Sequence, residues 1–228
     1  MKIDYRPDID GLRALSVIAV VLYHANFQIY NQYVFQGGYL GVDIFFVISG
    51  YLITSLISKE LEITNKFSFV NFYQRRARRI LPMLLFITMC FIPIAWFYLL
   101  PTSIIDFANS IFFSTFFTSN FFFNVAGHEY GNSLSITKPF LHTWSLSVEE
   151  QFYILYPLFF FFSFKFFRNK LLILLISITL LSLFLAQIGS LNFSIPNFYL
   201  LQTRIWEIFC GAILVLMVNN NKKNSFFN

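Results

Sequence analysis

The sequence predicts an all-α fold, a polytopic bundle of about six transmembrane helices plus one re-entrant or interfacial segment. Three observations carry that expectation. Of the 228 residues, 57% are hydrophobic and 12% are charged, whereas a soluble domain carries about 25% charged residues. The mean hydropathy is +0.65. Apolar runs of about the 20 residues needed to cross a bilayer recur along the chain. The 33 Phe and 12 Tyr suit lipid-facing surfaces and interfacial belts, and they point to no site. A net charge of +5 does not indicate nucleic-acid binding, because basic residues of membrane proteins gather in cytoplasmic loops.

In order, the runs are Leu12 to Tyr30, Tyr39 to Ile57, Ile80 to Leu100, Val148 to Phe164, Leu171 to Ile188 and Arg204 to Val218. Lys2 and Arg6 precede the first run as in a signal peptide, but that run is too long and lacks a small-residue cleavage pattern, so it is expected to stay attached as an anchor. Gly38 and Gly41 precede the second run. No lysine follows them and no strand precedes them, so they suit a tight turn and close helix packing rather than a phosphate loop. The stretch Ile104 to Asn124 is Phe-rich but interrupted by Asp106, Asn109, Asn120 and several hydroxyl residues. Basic residues decide its reading. Lys59, Lys66, Arg75, Arg76, Arg78 and Arg79 mark a cytoplasmic loop, and Lys165, Arg168 and Lys170 mark another. Both can be inside only if Ile104 to Asn124 does not cross, so it is expected to be re-entrant or interfacial. The N-terminus, and the C-terminus with Lys222 and Lys223, are then cytoplasmic in a plasma (inner) membrane. Residues 1–218 form the membrane domain and 219–228 a polar tail. Cys90 and Cys210 sit in apolar runs and read as small buried hydrophobes, not as a disulfide or metal site.

Chemistry concentrates at few places. Arg13 and His24 are eleven residues apart, which on a helix returns nearly to the same face about 16 Å along the axis. Ionisable groups at membrane depth normally face a protein interior or wet cavity and mark function; the alternative is two interfacial residues, with Arg13 snorkelling. Asp43 is a further intramembrane charge that can pair with Arg13, His24 or a substrate, or be held by the helix dipole. Arg76 and Arg79, three apart, share a helix face and can converge on one phosphate of a nucleotide-like ligand. Anchoring to anionic lipid headgroups is the plainer reading. Glu149, Glu150, Gln151 and His142 cluster at the outer start of the fourth run. Helix initiation capped by Ser147 explains one glutamate, and an acid with a histidine suits proton transfer. Ser145 and Ser147 lack the G-x-S-x-G setting of a nucleophile. Arg204 and Glu207 read as an intrahelical ion pair, and His128 with Glu129 as a solvated loop pair.

Together these fragments resemble the acyltransferase-3 family of integral-membrane acyltransferases. The matching pieces are Asp8-Ile9-Asp10-Gly11-Leu12-Arg13 running to His24, Gly41-Val42-Asp43 running to Gly50-Tyr51-Leu52-Ile53, and Arg76-x-x-Arg79-Ile80-x-Pro82. The block from Trp144 to Glu149 and Arg204-x-x-Glu207 to Gly211 complete an ordered set over nearly the whole chain. The resemblance implies transfer of an acyl group, usually acetyl, to a hydroxyl of a cell-surface polysaccharide, lipopolysaccharide or peptidoglycan sugar. It implies an acyl-CoA donor such as acetyl-CoA and no metal, with Arg76 and Arg79 near the donor's phosphates. His24 acts as general base or acyl carrier with Glu149, Arg13 and Asp43 in the catalytic set, and His142 and Trp144 meet the acceptor. Family members usually have more spans than this chain, which therefore reads as truncated at its C-terminal side, with a missing half or partner subunit. An inactive fragment and a transporter are the competing readings; a transporter would show internal repeats and helices broken at the midplane.

Overall fold

The computed structural model describes residues 6–25, 27–30, 32–126 and 138–225. Lys2, His128 and Glu129 lie outside them. Helix α1 (Pro7–His24) opens with proline in its first turn, where the missing N–H costs nothing, and with Asp8 and Asp10 favoured by the dipole. Arg6 donates to Asp8 at 2.9 Å and to the Tyr51 hydroxyl at 3.4 Å. Its hydrogen bonds hold the Asp8 carboxyl below the ordinary carboxylate range. The helix stops at His24, short of the expected Tyr30. Beyond it, polar residues interrupt the apolar ones, and a ribbon of β1 (Gln28–Ile29) and β2 (Gln32–Tyr33) forms in the antiparallel register Gln28↔Tyr33.

A 3-10 turn (Gln36–Tyr39) leads into α2 (Leu40–Thr64). It ends at Asn65, whose φ of 52° is the left-handed conformation that asparagine tolerates at helix ends. Ser68 caps α3 (Phe69–Tyr98) by accepting from the Asn71 N–H. There follow α4 (Pro101–Thr115), α5 (Ser119–Val125), α6 (Thr143–Phe167), a 3-10 turn (Arg168–Lys170), α7 (Leu171–Asn192), α8 (Ser194–Tyr199) and α9 (Leu201–Ser225). Four described stretches are long and apolar enough to cross a membrane: Gln36–Thr64, Phe69–Tyr98, Thr143–Asn192 and Ser194–Val218. They contain five of the expected runs, because Thr143–Asn192 holds α6 and α7 together. The first run falls on α1, which carries Asp8, Asp10 and Arg13. The all-α membrane bundle expected from the sequence is the architecture observed.

The chain divides into two compact units. In the first, Met1–Phe67 with Phe160–Leu183 and Ile205–Asn228, α1 packs antiparallel to α2. Gly38 and Gly41 permit this: a Cβ there would lie 2.3 Å from the Ala19 carbonyl oxygen and 2.5 Å from that of Ser16. Helices α2 and α9 also approach backbone to backbone. A Cβ at Gly50 would lie 1.8 Å from the Ile208 carbonyl oxygen, and one at Gly211 would lie 1.9 Å from that of Val47. Such small-residue contacts are how membrane helices gain packing energy where lipid removes the hydrophobic drive. Cys210 on α9 is exposed, not buried as expected; it sits beside the packing glycine and on the outer side of its helix.

In the second unit, Ser68–Phe159 with Phe184–Arg204, α3 and α6 run antiparallel: Tyr73 lies against Ile154 and Phe91 against Phe140. Cys90, also expected inside, is exposed on α3. Asp106, one of the polar interruptions in the Phe-rich stretch, is ion-paired with Lys138. That stretch is two helices, neither long enough to span. They break at Phe116–Thr118, where Phe117 has φ 54°. The break is satisfied from α6, as irregular backbone at membrane depth must be. The Gln151 amide donates to the Phe117 carbonyl at 2.9 Å and to Asn120 at 2.7 Å, and Asn120 donates to the Tyr199 carbonyl at 3.1 Å. Ser147 does not cap α6, which begins at Thr143; its hydroxyl lies 2.8 Å from that of Ser119. Replacing Gln151 with leucine strands these buried groups and is expected to cost about 1–3 kcal/mol, read as a lower unfolding temperature in detergent. An unchanged temperature would show that the break does not depend on this clamp.

Candidate active site

His24 is the last residue of α1, exposed, with its Nδ1 2.8 Å from the Val20 carbonyl oxygen. A carbonyl can only accept, so Nδ1 carries the proton and the basic lone pair of the neutral ring falls on Nε2. The Tyr23 ring meets His24 edge-on at 5.1 Å and Tyr39 at 5.8 Å. Arg13 lies on the same helix, half-buried, and is ion-paired at 3.9 Å with Asp10. Asp43 stands in the first turn of α2, the helix packed against α1. The first unit thus gathers three of the expected catalytic residues on two adjoining helices.

The second unit gathers the rest. The Arg76 guanidinium lies 4.3 Å from the centre of the Tyr153 ring and 5.8 Å from that of Phe72. The Tyr153 hydroxyl donates to Glu149. Glu150, one turn before Tyr153, is 6% exposed. Among the described residues neither Arg76 nor Arg79 has a hydrogen-bond acceptor or an ion-pair partner.

This arrangement corrects one expectation. Charge counting separates the arginines from Glu149 by the thickness of the membrane; instead they share one neighbourhood. Helix α3 begins at Phe69, well before the apolar run at Ile80, and α6 begins at Thr143, well before Val148. Antiparallel packing then sets residues 72–79 beside 149–154. Glu149 and Glu150 also lie two turns into α6, beyond the reach of the dipole that the helix-start reading invokes.

His142 is exposed just before α6, while Trp144 is 3% exposed and packed on Phe198 at 4.5 Å and Tyr199 at 5.7 Å. Arg204 lies 5.1 Å from the Phe198 ring and 5.9 Å from that of Trp144, and it donates to the Phe198 carbonyl. Glu207 is buried at 1% exposure. Tyr153 is the residue that the sequence reading gives no role; the signal is its spacing, four residues after Glu149 and three after Glu150, which sets its ring beside both carboxylates on α6.

A family model described as an acyltransferase domain matches residues 6–227. An O-acetyltransferase OatA of Staphylococcus aureus is 42% identical over 154 residues, covering 68% of this chain and 24% of that protein. A peptidoglycan O-acetyltransferase OatA of Listeria monocytogenes is 34% identical over 217 residues, covering 93% of this chain and 34% of that protein. The chain therefore spans about a quarter to a third of the length of the curated relatives it matches. No solved structure matches it.

Proposed function

The chain belongs to the acyltransferase-domain family of its motif resemblance, and from that membership we propose that it transfers an acetyl group from an acyl-CoA donor to a hydroxyl of a cell-wall glycan. Peptidoglycan is the preferred acceptor class, after the name of the Listeria relative. The protein acts in the plasma membrane with both termini cytoplasmic. One observation carries the donor reading: the paired guanidiniums of Arg76 and Arg79 have no acceptor among the described residues, and such forks suit phosphate oxygens.

The chemistry follows from His24. As the acceptor oxygen attacks the thioester carbonyl, its proton passes to Nε2; the C–S bond then breaks, and the leaving thiolate takes that proton. Arg13 on α1 and Asp43 on the helix packed against it complete the catalytic set that the family resemblance implies. Glu149 steadies Tyr153 and through it the seat of Arg76, while His142 and Trp144 belong to the acceptor side.

The test measures labelled acetyl-CoA binding to protein in detergent. Replacing Arg76 and Arg79 with alanine is expected to weaken binding about 10–100-fold, the cost of losing charge-assisted hydrogen bonds. The same change at Arg75 and Arg78, both exposed, is expected to weaken it less than about twofold. Equal losses at the two pairs would favour lipid anchoring and overturn the donor reading.

A further inference from the structure

The donor neighbourhood holds an uncompensated acceptor beside its uncompensated donors. Glu150 is 6% exposed and its Oε1 makes no hydrogen bond. A carboxylate removed from water without a partner is costly, and native structures keep one only where something completes it. The nearby guanidiniums do not, since Arg76 lies on the Tyr153 ring and Arg79 is exposed. Because α3 and α6 are antiparallel, Arg79, one turn past Arg76, and Glu150, one turn before Tyr153, fall at the same level.

A bare polyanion does not satisfy this arrangement. Its charge would suit the arginines but would repel Glu150. The site instead calls for a phosphate with an O–H or N–H donor a few bonds away. The pantetheine arm of coenzyme A has that character, with a hydroxyl and an amide N–H close to the diphosphate. We propose that Glu150 is a specificity-determining residue of the donor site, its Oε1 accepting a hydrogen bond from the pantetheine arm while Arg76 and Arg79 hold the adjoining diphosphate. This rests on the acyl-CoA reading above.

The experiment compares coenzyme A with its nucleotide half, adenosine 3′-phosphate 5′-diphosphate, by calorimetric titration of protein in nanodiscs. Wild type is expected to prefer coenzyme A by at least about 10-fold, the worth of one hydrogen bond to a charged group. Glu150→Leu is expected to erase that preference and leave nucleotide affinity unchanged or slightly higher. Glu150→Gln, which keeps an acceptor oxygen, should retain part of the preference, and unfolding temperatures confirm that the variants are folded. Equal losses for both ligands, or none, would overturn the role of Glu150 while leaving the donor reading intact. Wild type binding neither ligand would overturn the donor reading itself. If coenzyme A is displaced by phosphatidylglycerol equally in wild type and Glu150→Leu, the occupant is a lipid headgroup and the proposal fails.

Discussion

Replacing His24 with alanine is expected to reduce glycan O-acetylation by about 10²–10⁴-fold, the usual worth of a positioned general base. The residue is exposed at the end of α1, so its side chain contributes little packing. Folding and insertion should therefore survive, and the loss should appear in transfer alone. The measurement is the O-acetyl content of cell-wall glycan from cells whose only copy carries the substitution, normalised to protein in the membrane fraction. His24→Gln should be as inactive, since an amide nitrogen is not a base at neutral pH. Wild-type acetyl content in either strain would remove His24 from the mechanism.

Replacing Gly50 with valine is expected to abolish recovery of a monodisperse protein. The atom met 1.8 Å from the added Cβ is a carbonyl oxygen of α9, and Gly211 faces α2 in the same way at 1.9 Å. Neither is the tip of a flexible side chain that can swing aside, so the helices must separate. The cost should exceed the roughly 1–3 kcal/mol of ordinary overpacking, and even Gly50→Ala should lower the unfolding temperature clearly. Gly11 provides the contrast. Nothing lies within 4 Å of a Cβ added there, so Gly11→Ala inside α1 should stabilise by about 0.5–1 kcal/mol. If Gly50→Ala behaved like Gly11→Ala, the close α2–α9 approach would be refuted.

Hydropathy made the membrane helices legible because a span is a local property of about 20 consecutive residues. Helix starts were less legible. Ser68 and Thr143 begin α3 and α6 well outside the apolar runs, and it is those polar extensions that bring Arg76 to Tyr153. The arginine pair, His24 and Glu149 stood out because charge in an apolar setting is conspicuous. Tyr153 and the unmet need of Glu150 depend on which helix faces which, and that pairing joins residues some seventy or more positions apart, as the hydrogen bond between Tyr73 and Ile154 does. Cys90 and Cys210 misled for a related reason: within a bilayer, an apolar residue on a span is as comfortable facing outward as inward.

The glycine contact between α2 and α9 also bears on biogenesis. Its halves, Gly50 and Gly211, are about 160 residues apart in the sequence, so α2 enters the bilayer long before its mate is translated. At roughly 5–20 residues per second, the ribosome needs on the order of ten seconds or more to reach α9. Through that interval the groove at Gly50 is open to other partners. Lipid or insertase contacts with the early helix therefore compete with the α2–α9 contact, and slow codons between the two glycines would lengthen that vulnerable window.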